Sequence, residues 1–220
     1  MTLEGQYLIT SKIRFPENCS KYDPLPLLVA LHGFGDDHEN FKRLFDEQND
    51  MIVVIPEAPY PFSVGKDIGF SWTAMANVKE DLGKDSMLLD SENIRNIIEY
   101  MKDKYNITKV YLLGFSQGAG LSYIAGIKNY DIIDGIAPFG GWFDEEYITR
   151  AHLKFAKENL DIFIAHGIND NVIPLESAEG AFNNLTEKGY NVHLEKFEGA
   201  HQVPANAQKA ALEWLKDQNK

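Results

Sequence analysis

Ser116 is the residue whose setting first suggests chemistry. It stands in Gly114-Phe115-Ser116-Gln117-Gly118, after the apolar run Val110 to Leu113 and before the small-residue stretch Ala119 to Ala125. That is the strand–turn–helix context of a nucleophile elbow, where a sharp turn presents a serine hydroxyl and flanking glycines let neighbouring backbone pass close. The same pattern also suits an ordinary exposed turn serine. Activating a serine requires a base, an orienting acid and donors for a developing oxyanion.

The remainder of the chain offers each of these. Ligands of a parallel α/β sheet gather at the carboxyl ends of its strands. His201, in Glu198-Gly199-Ala200-His201, follows a strand-like run and precedes a helix at Pro204; His193 sits inside that run and reads as a face residue. Asp170, in His166-Gly167-Ile168-Asn169-Asp170, follows a strand end in the same way, whereas Asp161 precedes its strand and Asp144, Glu145 and Glu146 form a solvated acidic cluster. An Asx-turn is the purely structural use of Asp170. Ser116, Asp170 and His201 thus occur in the order serine, acid, histidine that α/β-hydrolases use. His166, Asp170 and His201 could alternatively ligate a metal, but no compact ligand spacing such as H-E-x-x-H is present. The expected oxyanion donors are the amide of Gln117, at a helix N-terminus, and that of Phe34 in the loop His32-Gly33-Phe34-Gly35. His32 itself reads as a residue that orders this loop.

The elements that must position these groups alternate. Tyr7–Ile13, Leu27–Leu31, Met51–Ile55, Val110–Leu113, Ile132–Pro138, Ile162–Ala165 and Val192–Phe197 are strand candidates, several of them continuous apolar runs expected to be buried on both faces. Glu39–Phe45, Asp85–Tyr105, Gln117 to about Ile127, Ser177–Lys188 and Pro204–Lys216 read as helices. The stretch from Glu57 to Gly83 has little regular periodicity but carries Tyr60, Phe62, Phe70 and Trp72. With no repeat or linker, residues 1–220 read as a single α/β domain with about seven strands, mostly parallel and flanked by helices. About twenty residues separate Pro138 from Asp161, which leaves no room for a large cap.

Composition narrows the partners. A net charge of −12 argues against nucleic acid and against docking on anionic lipid through basic residues. No apolar run reaches membrane-spanning length, so no stable membrane insertion is expected. The single cysteine, Cys19, makes an internal disulfide impossible. With no secretory signal visible at the N-terminus, the expected location is cytoplasmic. A homodimer is left open.

These motifs together resemble the phospholipase/carboxylesterase family of small α/β-hydrolases, which includes the acyl-protein thioesterases. The resemblance rests on Leu31-His32-Gly33-Phe34-Gly35-Asp36, Gly114-Phe115-Ser116-Gln117-Gly118, His166 to Pro174, and Gly199-Ala200-His201. It implies Ser116 as nucleophile, His201 as general base, Asp170 as orienting acid, an oxyanion hole from Phe34 and Gln117, and no cofactor or metal. Two places depart from the thioesterase pattern: Trp72-Thr73-Ala74, where an aromatic and an aspartate usually follow the tryptophan, and Gly140-Gly141-Trp142, where a Ser-Gly pair is common. Both fall where the acyl group would bind, and Phe70, Trp72, Met75 and Trp142 are the expected substrate-binding residues. The expected reaction is hydrolysis of short or medium acyl or aryl carboxylic esters. The alternatives are an acyl-protein thioesterase or lysophospholipase acting on longer chains, and a non-catalytic ligand-binding scaffold. The expected partner is a small-molecule ester or thioester.

Overall fold

The computed structural model describes residues 9–74 and 80–218. Seven strands form one sheet in the order β1-β3-β2-β6-β7-β8-β9. They are β1 (Ser11–Arg14), β2 (Leu25–Leu31), β3 (Ile52–Pro56), β6 (Ile107–Phe115), β7 (Gly135–Phe139), β8 (Asp161–Gly167) and β9 (Asn191–Phe197). Only β1 runs antiparallel to its neighbour. It is shorter than the Tyr7–Ile13 run suggested, and part of that run lies outside the described residues. The helices are α1 (His38–Phe41), continued by a tighter turn over Lys42–Phe45, α2 (Glu80–Lys104), α3 (Gln117–Lys128), α4 (Arg150–Ala156), α5 (Leu175–Glu187) and α6 (Ala205–Asp217). Among the described residues, no helix is long and apolar enough to cross a membrane.

The continuous apolar runs divide by parity. Leu27, Val29 and Leu31 face one core with Ile52, Val54, Val110, Leu112, Ile162 and Ile164; α2 to α5 cover it. Leu28 and Ala30 face the other with Val53, Ile55, Tyr111, Leu113, Phe163 and Ala165, under α1 and α6. Successive strand side chains point to opposite faces, so a sheet covered on both sides needs apolar residues at every position. α3 lies deepest, buried from Gln117 to Ile127. Its small residues permit this: a Cβ on Gly126 would lie 2.5 Å from Cγ2 of Ile136.

The chain reaches β2, steps outward to β3 and later returns to β6 on the other side of β2. The order therefore reverses between β2 and β6, the position at which open α/β sheets leave a crevice. Leu31 is paired with Gly114 there, so the loops after the two strands start side by side.

The stretch read as irregular holds a hairpin, β4 (Tyr60–Val64) with β5 (Asp67–Ser71), separate from the main sheet. Its two-residue loop, Gly65-Lys66, has Gly65 at φ +63°, the glycine-first arrangement whose twist suits paired strands.

One consequence is measurable. A Cβ at position 118 would overlap the carbonyl oxygen of Leu31, and backbone offers little room to yield. Gly118→Ala is expected to cost about 2 kcal/mol or more and to lower Tm by about 4–8 °C. Gly180→Ala, in an open helical position of α5, should stabilise by about 0.5–1 kcal/mol; thermal unfolding of both variants provides the comparison.

Candidate functional site

Ser116 occupies the turn between β6 and α3 with φ 54° and ψ −115°, and it is one of two non-glycine residues at positive φ among those described. Such backbone costs about 1–3 kcal/mol and persists only where its surroundings enforce it. Here Ser116 N–H donates to Phe139 O at 2.9 Å, while its carbonyl accepts from Ala119 and Gly120 amides at 3.0 and 3.2 Å. Gly114 and Gly118 approach so closely that a Cβ on Gly114 would overlap the Gly118 carbonyl. Serine at a helix start commonly caps the first amides with its hydroxyl. Ser116 makes no such bond. Its hydroxyl is thus available for another use.

Asp170 and His201 come from the loops after β8 and β9, two adjacent parallel strands. The Asp170 side chain is fully buried: its Oδ2 accepts from His201 Nδ1 at 2.7 Å, and Oδ1 accepts from the Val172 and Ile173 amides, each at 2.9 Å. Burial alone would raise the Asp170 pKa. The bonds from His201 and from the Ile173 and Val172 amides outweigh it and hold the carboxyl below its ordinary range. An ionised Asp170 keeps the proton of His201 on Nδ1 and leaves Nε2 with its lone pair. His166 Nε2 donates to Ile173 O at 2.9 Å and lies 3.4 Å from Asp170 Oδ2, which packs the carboxylate from a second side. With the facing nitrogens of His166 and His201 both engaged with oxygen acceptors, the set His166, Asp170 and His201 presents no common point for a metal.

The strand end after β7 joins the two halves. Gly140 has φ +55°, and a Cβ there would lie 3.2 Å from His201 Nδ1 and 3.4 Å from Asp170 Oδ2. One residue on, a Cβ on Gly141 would lie 3.2 Å from Ser116 O. The Phe115 ring packs on the His201 ring at 4.7 Å between centroids. Ser116 and His201 therefore flank the same short segment, Phe139 to Gly141. The glycine pair that departs from the thioesterase pattern has a steric reason here.

The loop after β2 completes the ring. His32 is fully buried; its Nδ1 donates to Gly33 O at 2.9 Å and its Nε2 accepts from Ala58 N–H at 3.1 Å. In a trans peptide the carbonyl and the following N–H point in opposite directions. Anchoring Gly33 O against His32 thus turns the Phe34 N–H away from His32. Gly33 is also close to the serine, since a Cβ on it would sit 3.4 Å from Ser116 Cβ. The Gln117 N–H belongs to the first turn of α3, whose amides lack intrahelical acceptors.

Some expected substrate contacts take other places. Trp72 is 1% exposed, with Nε1 donating to His32 O at 2.9 Å. It braces the loop after β2 from within and forms no wall of the site, because its ring is spent in the core. Gln117 does more than supply an amide. Its side chain accepts from Trp72 N–H at 2.9 Å and donates to Ser71 Oγ and Thr73 Oγ1 at 3.0 and 2.9 Å, tying the end of β5 to α3. Phe70 is half-buried, and its backbone pairs with Gly35 N–H and Asp36 O at 2.9 and 3.2 Å. Trp142, 37% exposed, lies over Gly120. Met75 lies outside the described residues. Phe34, 49% exposed, stacks on Phe62 at 4.6 Å, a contact that sequence spacing gave no means of finding. A cavity of about 950 Å³ between Arg43–Asp50 and α6 includes none of Ser116, Asp170 or His201.

Comparison with known proteins agrees with this architecture. The chain is 29% identical over 204 residues to a probable carboxylesterase SOBER1-like of Arabidopsis thaliana, covering 86% of this chain and 77% of that protein. It is 23% identical over 193 residues to acyl-protein thioesterase 1 of Gibberella zeae, covering 78% and 81%. Among solved structures, acyl-protein thioesterase 2 of Zea mays superposes with a TM-score of 0.75 at 16% identity, over 94% of this chain and 97% of that one. Arabidopsis thaliana SOBER1 gives 0.70 at 21% identity, over 87% and 97%. The family model of the phospholipases/carboxylesterases matches residues 18–219, and the chain therefore belongs to that family of α/β-hydrolases, enzymes that hydrolyse esters.

Proposed function

We propose that this chain is a serine carboxylesterase in which Ser116 is the nucleophile, His201 the general base and Asp170 the residue that orients it. The observation that carries the reading is the strained, uncapped Ser116 held at the same Phe139–Gly141 segment as the His201–Asp170 pair. Oγ attacks the ester carbonyl while His201 Nε2 takes its proton, and a tetrahedral oxyanion forms against the amides of Phe34 and Gln117. The imidazolium then protonates the leaving alcohol as the C–O bond breaks. Water, deprotonated by the same histidine, attacks the acyl-enzyme and releases the acid and Ser116. No cofactor enters this cycle.

Short or medium acyl and aryl esters are the substrates this arrangement favours. With Trp72 in the core, the aromatic surface on the loops around the serine includes, among the described residues, Phe34 stacked on Phe62, and Trp142. A second reading, hydrolysis of longer acyl esters or thioesters, is supported by the exposed Val64 of the hairpin, which lies on the same face of β4 as Phe62 and extends its apolar surface.

Ser116→Ala is expected to lose about 10⁴-fold or more in kcat and Asp170→Asn about 10⁴-fold, each keeping a folded chain by circular dichroism. Labelling by a fluorophosphonate should vanish in Ser116→Ala; retained turnover there would remove Ser116 from the mechanism. Across nitrophenyl esters and acyl-CoA thioesters of increasing length, activity should peak at short chains. A maximum at long-chain thioesters would reverse the substrate assignment. Asp170 also links pH to stability. Its folded-state pKa is lowered, so its contribution is present above the unfolded value of about 3.9 and lost as pH falls through the lower folded value. Denaturant titrations should show wild type losing its advantage over Asp170→Asn as pH drops below about 4; a constant difference from pH 7 to 2 would contradict this.

A further inference from the structure

The turn at Ser116 is held by backbone, but the loop after β2 bends at a glycine. Gly33 is tightly placed: a Cβ there would lie 3.2 Å from Phe115 Cδ1 and 3.4 Å from Ser116 Cβ. Glycine is also the residue with the most torsional freedom, and this one stands directly before the proposed donor, the Phe34 N–H. Two carbonyl bonds remove that freedom. The Gly33 carbonyl accepts from His32 Nδ1 at 2.9 Å, which sets the peptide plane after Gly33. The His32 carbonyl accepts from Trp72 Nε1 at 2.9 Å, which sets the plane before it. With both planes set, the φ and ψ of Gly33 are determined, and with them the direction of the Phe34 N–H.

Trp72 is anchored in turn. Its main-chain N–H donates to Gln117 Oε1 at 2.9 Å, and Gln117 Nε2 donates to Ser71 Oγ and Thr73 Oγ1 at 3.0 and 2.9 Å. The Gln117 amide thus spends its carbonyl and both hydrogens on three successive residues. Ser71 Oγ closes the turn, accepting from Thr73 N–H at 3.1 Å and donating to Thr73 O at 2.9 Å. Ser71, Trp72 and Gln117 are all buried, so little water competes for these bonds. Gln117 is the first residue of α3, the most deeply buried helix, and its own N–H is the second proposed donor. The His32 carbonyl lies against the same helix, since a Cβ on Gly118 would be 2.6 Å from it. Trp72 therefore spans from the helix that carries one donor to the loop that carries the other.

We infer that Trp72 is a positioning residue for the oxyanion hole, a cross-brace through which the Gln117 side chain fixes the Gly33 torsions and so the placement of one donor relative to the other. This rests on the reading of Ser116 as nucleophile and of the Phe34 and Gln117 amides as donors. The side chain of Gln117 then has a task separate from that of its amide. The amide meets the oxyanion. The side chain holds the residue that aims its counterpart.

The test is steady-state hydrolysis of a short nitrophenyl ester by wild type, Trp72→Phe, Gln117→Ala and the double variant, with Ser116→Ala alongside. Each is also inhibited with a trifluoromethyl ketone, whose adduct with serine carries the oxyanion. Trp72→Phe keeps an aromatic ring in the core and removes the indole N–H. It should lose about 10- to 100-fold in kcat, the scale of a displaced catalytic group, with KM changed by less than about threefold, since the donors act mainly in the transition state. Ketone affinity should fall in parallel with kcat/KM, whereas packing damage alone would lower stability and leave both intact in the folded protein. Gln117→Ala should behave alike. Because the two residues are links of one chain, the double variant should lose no more than about threefold beyond the worse single variant. Wild-type kcat and ketone affinity in Trp72→Phe, or single losses that multiply in the double variant, overturn the inference. Should Trp72→Phe fail to fold, wild-type values in Gln117→Ala overturn it. Activity retained in Ser116→Ala would instead strike the underlying assignment, whatever Trp72 does.

Discussion

The closeness of two parallel strand ends governs this molecule. β2 and β6 are neighbours with Leu31 opposite Gly114, and α3 begins so near β2 that a Cβ on Gly118 would overlap the Leu31 carbonyl. This contact sets the serine turn and the loop after β2 beside each other before any side chain is considered. It also fixes what the other elements must do. β7 supplies Phe139 O to hold the Ser116 amide, and the glycines just after it, Gly140 and Gly141, leave room on one side for His201 and Asp170 and on the other for Ser116. The strain at Ser116 is sustained because the backbone around it has nowhere else to go.

Electrostatics follows the same division. On one side of Ser116, Asp170 is buried yet accepts hydrogen bonds from two amides and one imidazole, enough to keep it ionised despite desolvation. On the other, His32 spends both ring nitrogens on the backbone, at Gly33 and Ala58. Neither arrangement contributes much apolar burial. Both are explained by the direction they give to a single atom: a lone pair on His201 and an N–H on Phe34.

The sheet was readable in the sequence because burial on both faces removes every polar position from Leu27–Leu31, Ile52–Ile55 and Ile162–Ala165. Ser116 and Asp170 stood out for a related reason, since each lies just past such a run, and His201 follows the end of the more exposed β9. The β4–β5 hairpin did not, because β4 starts Tyr60-Pro61-Phe62 and has no buried residue, while the buried positions of the short β5 are Gly69 and Ser71, which carry no apolar side chain to mark the alternation. Gly65-Lys66 was its one local signal. Trp72 was misjudged for a different reason. Aromatic content in a long connection fits a pocket wall and a core anchor equally, and only the bond from Nε1 to His32 O distinguishes them.

The hairpin links substrate choice to chemistry. Its strand β5 pairs with the loop after β2 through Gly35 N–H to Phe70 O and Phe70 N–H to Asp36 O, its Phe62 stacks on Phe34, and its end is clamped by Gln117. The surface that would meet an acyl chain is thus mounted on the backbone proposed to stabilise the oxyanion. A change of shape at Phe62 reaches the Phe34 amide through direct contact, whereas one at Trp142 acts on the far side, against α3. On the proposed roles, binding and turnover are coupled along the hairpin, which hydrogen-bonds both the loop that carries Phe34 and the Gln117 side chain, whereas Trp142 meets α3 by packing over Gly120.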